Sequence, residues 1–181
     1  MKIGLLSYRS NPFSGGQGIY VKHLSSALAK LGHQVDVISG PPYPELHKEV
    51  NLIKIPSLNL FELEDNLRLT SFKLSFLSNL ADLSEWFGVL SGSFPEPYAF
   101  GKRVSHYLNN TSASYDLIHD NQSLCYELIN IQKKIPLVAT IHHPITKDYK
   151  LELEAATNWK ERFSTNRWHT FLGMQKKVAP Q

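Results

Sequence analysis

KIGLLSYRSNPFSGGQGIYVKHLSSALAKLGHQVDVIS, residues 2–39, holds a complete strand–turn–helix–strand unit. Lys2 to Ser7 is a short apolar run, the pattern of a strand buried on both faces. Residues 9–18 are dense in Ser, Asn, Pro and Gly and read as a turn. Tyr20, Leu24, Ala27, Leu28 and Leu31 then recur at helical spacing on one face, and Gly32 is suited to ending that helix. Gln34 to Ser39, with Val35, Val37 and Ile38, is a second strand. A helix between two strands lets them lie parallel, because the crossover returns the chain to the end where it started.

Outward from this unit the alternation continues. Asn51 to Ile55 is a third strand closed by Pro56. Leu69, Phe72, Phe76, Leu80, Leu83, Phe87 and Leu90 fall at intervals of three and four, which predicts one helix of about six turns. Gly92-Ser-Phe-Pro-Glu-Pro97 breaks it, and Tyr98 to Leu108 is a further helix. Tyr115 to His119 is a fourth strand, followed by a short helical pattern through Leu124, Leu128 and Ile131. Pro136 to Ile141 is a fifth strand that runs into His142-His143-Pro144, and Lys147 to Val178 is helical by propensity. No internal repeat and no linker divides the chain. The expectation is a single α/β domain over residues 1–181: an open parallel sheet covered by helices on both faces.

Composition narrows the function. Of 181 residues 42% are hydrophobic and 19% charged, enough apolar material for one packed core and too much for a disordered chain. A single cysteine, Cys125, excludes an internal disulfide framework and a zinc ribbon. The net charge of +3 is too small to announce a nucleic-acid partner. No run reaches the roughly 18 apolar residues of a membrane span, and the N-terminus is apolar for too short a stretch to be a signal peptide. The expected location is cytoplasmic. Lys160, Arg162, Arg167, Lys176 and Lys177 interleave with Trp159, Phe163, Trp168, Phe171 and Leu172, a composition that admits peripheral contact with an anionic membrane.

In an open parallel sheet, ligands bind beyond the carboxyl ends of the strands. The loops at that edge hold Ser14-Gly15-Gly16-Gln17-Gly18, then Asp120-Asn121-Gln122, then His142-His143-Pro144. Gly15 and Gly16 leave the backbone open to a ligand, and the N–H groups at the following helix start favour an anionic or hydroxyl-rich one. A dinucleotide site is disfavoured: Val21 stands where that fingerprint needs Gly or Ala, and the second strand ends in Ser39 without an acid for a ribose. No Gly-Lys-Ser/Thr loop and no Gly-x-Ser-x-Gly elbow is present. His142 is a hydrogen-bonding group aimed at a sugar hydroxyl, or a strand-end histidine of structural use only. Adjacent histidines diverge, so His142 and His143 with Asp148 or Glu152 are a poor metal site, and no metal ligand is assigned.

The series Gly18-x-Tyr-Val-x-x-Leu-x-x-x-Leu-x-x-x-Gly32-His33-x-Val35, with Tyr115-Asp-Leu-Ile-His119 and Pro136-Leu-Val-Ala-Thr-Ile-His142, resembles the N-terminal domain of family-4 glycosyltransferases. The resemblance implies half of a GT-B architecture, in which two Rossmann-like domains face each other across a cleft. It implies a retaining transfer from a nucleotide diphosphate sugar to a lipid, saccharide or small-molecule acceptor, with no cofactor and no tightly bound metal. Gly15 and Gly16 would approach the donor phosphates and the acceptor, and His142 would touch the donor sugar as the catalytic-centre residue. Asn121 and Gln122 would be acceptor contacts at the cleft edge. By the resemblance the N-terminal domain over residues 1–181 is expected to be truncated, incomplete at its C-terminus, and the nucleotide-sugar-binding domain is absent from these residues, so the chain by itself is expected to be inactive. The other expectation is a non-catalytic binding module, or one half of a split transferase completed by a partner chain.

Overall fold

A computed structural model describes residues 1–181. Five parallel strands form one sheet: β1 (Lys2–Ser7), β2 (Gln34–Ser39), β3 (Asn51–Lys54), β4 (Leu117–Asn121) and β5 (Leu137–Thr140), in the order β3-β2-β1-β4-β5. This is the doubly wound order, and the direction of winding reverses between β1 and β4. In register, Leu6 of β1 lies beside Ile38 of β2 and Asp120 of β4, and Asn121 lies beside Thr140 of β5. The fourth strand therefore starts and ends two residues later than its apolar pattern indicates. Asp120 and Asn121 are strand residues because they complete the ladder with β1 and β5.

Alternate residues of each strand feed two cores, as the pleat requires. On one face Leu5, Val35 and Val37 pack with Val21 of helix α1 (Gly16–Lys30) and with Val50. On the other, Leu6, Ile38 and Ile118 pack under α4 (Glu96–Asn110) through Phe100 and Val104, and under α5 (Leu128–Ile131) through Leu128 and Ile131. Met174 and Val178 of α8 (Leu172–Val178) close the same core. Helices thus cover both faces, as expected. The C-terminal region is helical in pieces: α6 (Ile145–Ala155), α7 (Trp159–Trp168), a 3-10 turn at His169–Phe171, and α8.

The stretch from Leu69 to Leu90 departs from the one long helix its spacing predicts. It consists of the end of α2 (Asp65–Thr70), a 3-10 turn at Leu74–Ser78, and α3 (Leu80–Leu90). Short polar side chains interrupt it by bonding to nearby backbone, the competition that makes Ser and Asn poor in helix interiors. Ser71 donates to the Arg68 carbonyl and Ser78 to the Ser75 carbonyl. Asn79, in extended backbone, accepts from the Ala81 and Asp82 amides and starts α3 afresh. The buried face of α3 is Ala81, Glu85, Gly88 and Val89, whereas Leu80 and Phe87 of the apparent stripe are exposed. Small residues and charge set that choice. A Cβ on Gly88 would come within 2.7 Å of the Pro95 side chain, and Arg103 of α4 reaches Glu85 at 2.6 Å and Asp82 at 2.5 Å.

Candidate functional site

The parallel sheet brings the ends of β1, β4 and β5 side by side at one edge, where the winding reverses. After β1 the chain turns through Gly15, which occupies the N-cap position of α1 at φ 69°, ψ 138°. No side chain caps the helix and no acid lies in its first turn, so the first N–H groups stay open. A Cβ at Gly15 or Gly16 would meet nothing within 4 Å, which leaves the backbone accessible from outside. Gly18 differs: a Cβ there would lie 2.2 Å from the Asn11 carbonyl oxygen and 2.7 Å from that of Ser10. The turn before α1 is folded tightly against this one backbone position.

His142 lies just past β5, exposed, with its ring against the edge of Tyr20 at 4.6 Å between centroids and 83° between planes. Tyr20 stands one helical turn after Gly16 on α1, so it joins the glycine turn to the histidine. Its hydroxyl also lies 3.2 Å from Thr140 Oγ1, and that same oxygen is 2.8 Å from His119 Nε2. The two groups on which the sequence reading depends, Gly15-Gly16 and His142, therefore share one rim.

Asn121 and Gln122, expected at the cleft edge, are instead buried beneath it. Their amides are spent on the histidine loop. Gln122 accepts the His142 backbone N–H at 2.8 Å and donates to the His143 carbonyl at 3.2 Å, pairing like a short extra strand. Asn121 Oδ1 is 2.5 Å from His142 Nε2, and Asn121 Nδ2 donates to Ser7 Oγ at 3.3 Å. Gln122 (φ 59°) and Leu124 (φ 45°) both hold left-handed backbone, an arrangement that costs energy unless its surroundings enforce it. Two contacts do so. Asp120 accepts from the Leu124 amide at 2.9 Å and from the Ser123 hydroxyl. Gln175 of α8 donates to the Gln122 and Ser123 carbonyls at 3.2 and 3.3 Å.

The electrostatics favour neutral groups. Burial lowers the pKa of His142, and the neighbouring His143 lowers it further. Burial and then the proximity of His142 lower His119. Asp120 is pushed up to about 6, with desolvation outweighing the hydrogen bonds it accepts. His143 meets Asp148 of α6 at 3.2 Å.

The comparisons with known proteins bear on this same stretch of chain. The model of glycosyltransferase family 4 matches residues 14–179, from the turn before α1 through the whole of α8. The chain belongs to glycosyltransferase family 4. It is also similar to an MMP α-(1→4)-mannosyltransferase of Mycolicibacterium hassiacum, 46% identical over 183 residues. That match covers 100% of this chain and 44% of the relative, so the chain spans less than half of the length of the curated relative it matches.

Three features of this family-4 domain escape sequence reading. Tyr20 reads as an ordinary core-facing helix residue, although its spacing of four from Gly16 places it on the side of the glycine turn. Ser7 and Gln175 carry no motif, and only the fold brings them to residues 121–123. An open groove of about 1180 Å³ lies elsewhere, between the end of β3, the start of α3 and α4, with Lys54, Asp82, Arg103 and His106 among its lining. None of Gly15, Gly16, Asn121, Gln122 and His142 lines it.

Proposed function

We propose that this chain is the acceptor-side half of a retaining glycosyltransferase, which moves a sugar from a nucleoside diphosphate to an acceptor hydroxyl without a resident metal or cofactor. The observation that carries the reading is the shared rim of Gly15-Gly16 and His142, joined by Tyr20. In the transfer the bond from the anomeric carbon to phosphate oxygen breaks, and a bond from that carbon to the acceptor oxygen forms. The proton of the acceptor hydroxyl leaves with the departing diphosphate. Negative charge grows on the phosphate as the bond lengthens, and the open N–H groups at the start of α1 are fixed dipoles suited to receive it. A neutral His142 at the same rim suits contact with a sugar hydroxyl, since a neutral imidazole offers both a donor and an acceptor. The mannosyltransferase activity in the relative's name makes mannose the sugar to try first.

The test joins the chain to the remaining part of the Mycolicibacterium hassiacum relative and supplies a nucleoside diphosphate mannose with saccharide acceptors. Replacement His142→Ala is expected to lower turnover by roughly 100-fold, the usual scale for one lost polar contact at a reaction centre. Turnover at the parent rate would remove His142 from the reaction.

The same enzyme is proposed to touch an anionic membrane surface through α7. Trp159 and Phe163 stand one turn apart there and are both exposed, with Lys160 and Arg162 between them.

A further inference from the structure

We propose that Asn121 is a positioning residue: it fixes His142 as the tautomer protonated at Nε2 and so presents the bare Nδ1 lone pair to a hydroxyl of the bound sugar. This rests on the reading of His142 as a group that faces substrate. A chain of hydrogen bonds of fixed direction runs from Ser7 through Asn121 to His142. The Ser7 hydroxyl has one proton, and it donates that proton to the Arg9 carbonyl at 3.2 Å. Its oxygen accepts from the Ser10 hydroxyl at 2.6 Å. Ser7 therefore meets Asn121 as an acceptor, which requires the NH2 end of the Asn121 amide, found at 3.3 Å. The other end, Oδ1, must then face His142 Nε2, where the separation is 2.5 Å. An amide oxygen only accepts, so the proton of a neutral ring sits on Nε2.

Both polar atoms of Asn121 are consumed in this way, and the residue is fully buried. Nδ1 of His142 has no hydrogen-bond partner within the chain, and the ring is exposed. The ring stays upright because Tyr20 packs edge-on against it and Gln122 holds its backbone. The titratable groups around it are Tyr20 from α1, His119 from β4, His143 next in the chain, and Asp148 of α6, which is held by His143. Burial and then the neighbouring His143 disfavour a charge on His142, in keeping with a ring that offers a lone pair.

Long-range nitrogen–proton NMR of the imidazoles of this chain, recorded above the pKa of His142, reads the tautomer directly. The parent is expected to show Nε2 protonated and Nδ1 bare. Asn121→Ala is expected to give a mixture of tautomers, and Ser7→Ala, which frees the amide to turn over, is expected to shift the same way. Asn121→Asp keeps an acceptor in place but favours the imidazolium, so it should raise the pKa of His142. A parent ring protonated at Nδ1, or a tautomer unchanged in both Asn121→Ala and Ser7→Ala, overturns the proposal. In the joined enzyme Asn121→Ala is expected to lower kcat by on the order of 10- to 100-fold, the scale of a misplaced reacting group. Asn121→Asp should recover as pH rises past the raised pKa, which a merely structural lesion would not do. A variant that loses the tautomer yet transfers at the parent rate overturns the assignment of Nδ1 to the sugar. His142→Ala at the parent rate overturns the underlying reading of the site instead.

Discussion

Gly15, Gly16 and Gly18 lie within four positions, and each is glycine for a different reason. Gly15 has a positive φ that a side chain would strain, Gly18 has two carbonyl oxygens where a Cβ would stand, and Gly16 has neither constraint. The difference separates stability from function. Gly18→Ala must push apart backbone that cannot give, so it is expected to leave little folded protein by circular dichroism or thermal melting. Gly16→Ala has open space and an ordinary φ, so its melting temperature should stay close to that of the parent. Its sugar transfer in the joined enzyme should nevertheless fall, because the new methyl group stands where a ligand would approach the backbone. Transfer at the parent rate in a fully folded Gly16→Ala variant would contradict that approach. Gly-rich turns announce themselves in a sequence, but which glycine is structural is set by what the fold lays against it. Here that partner is the carbonyl of Asn11, seven residues earlier and invisible to any motif.

At the scale of elements, strands were legible because burial on both faces leaves short apolar runs with few alternatives. The helix between β1 and β2 was equally plain. The region from Leu69 to Leu90 was not, because its apolar periodicity reports spacing and not which face is buried. Glu85 lies inside, opposite Arg103, and Leu80 lies outside, so charge pairing and a Gly88–Pro95 contact outweigh the leucines. Leu80→Ser is therefore expected to change unfolding free energy by less than about 0.5 kcal/mol. Val89→Ala, at a buried position of the same helix, should cost about 1–2 kcal/mol in urea denaturation. Equal effects would mean that α3 packs by its leucine stripe after all. Helix α7 offers a second test. With vesicles containing anionic lipid the chain should float, and Trp159→Ala combined with Phe163→Ala should abolish flotation. A parent chain that stays at the bottom of the gradient ends the membrane proposal.

For the whole molecule, the parallel sheet and its two-sided helical cover follow from alternation of apolar runs with helical patterns, and both are visible in the sequence, whereas the strand order β3-β2-β1-β4-β5 is set by tertiary packing. The edge at which functional groups gather follows too, since parallel strands all end there. Depth within that edge was hidden. Asn121 and Gln122 read as exposed loop residues, but the ladder between β4 and β5 runs to Asn121 and draws both beneath the surface. Buried amides must bond to something, and what they bond to is the histidine loop. Ser7 and Gln175 enter the site only because β1 neighbours β4 and α8 returns over the same core, contacts that span more than fifty residues. On the proposed function, the glycine turn and His142 form one wall of a sugar-handling crevice. The most direct measurement is amide NMR of the joined enzyme, isotope-labelled only in this half, titrated with a nucleoside diphosphate mannose. The amides of Gly15, Gly16 and His142 are expected to shift together and along one binding curve. Shifts confined to the groove beside Lys54 and His106, with those three amides unmoved, would contradict that reading.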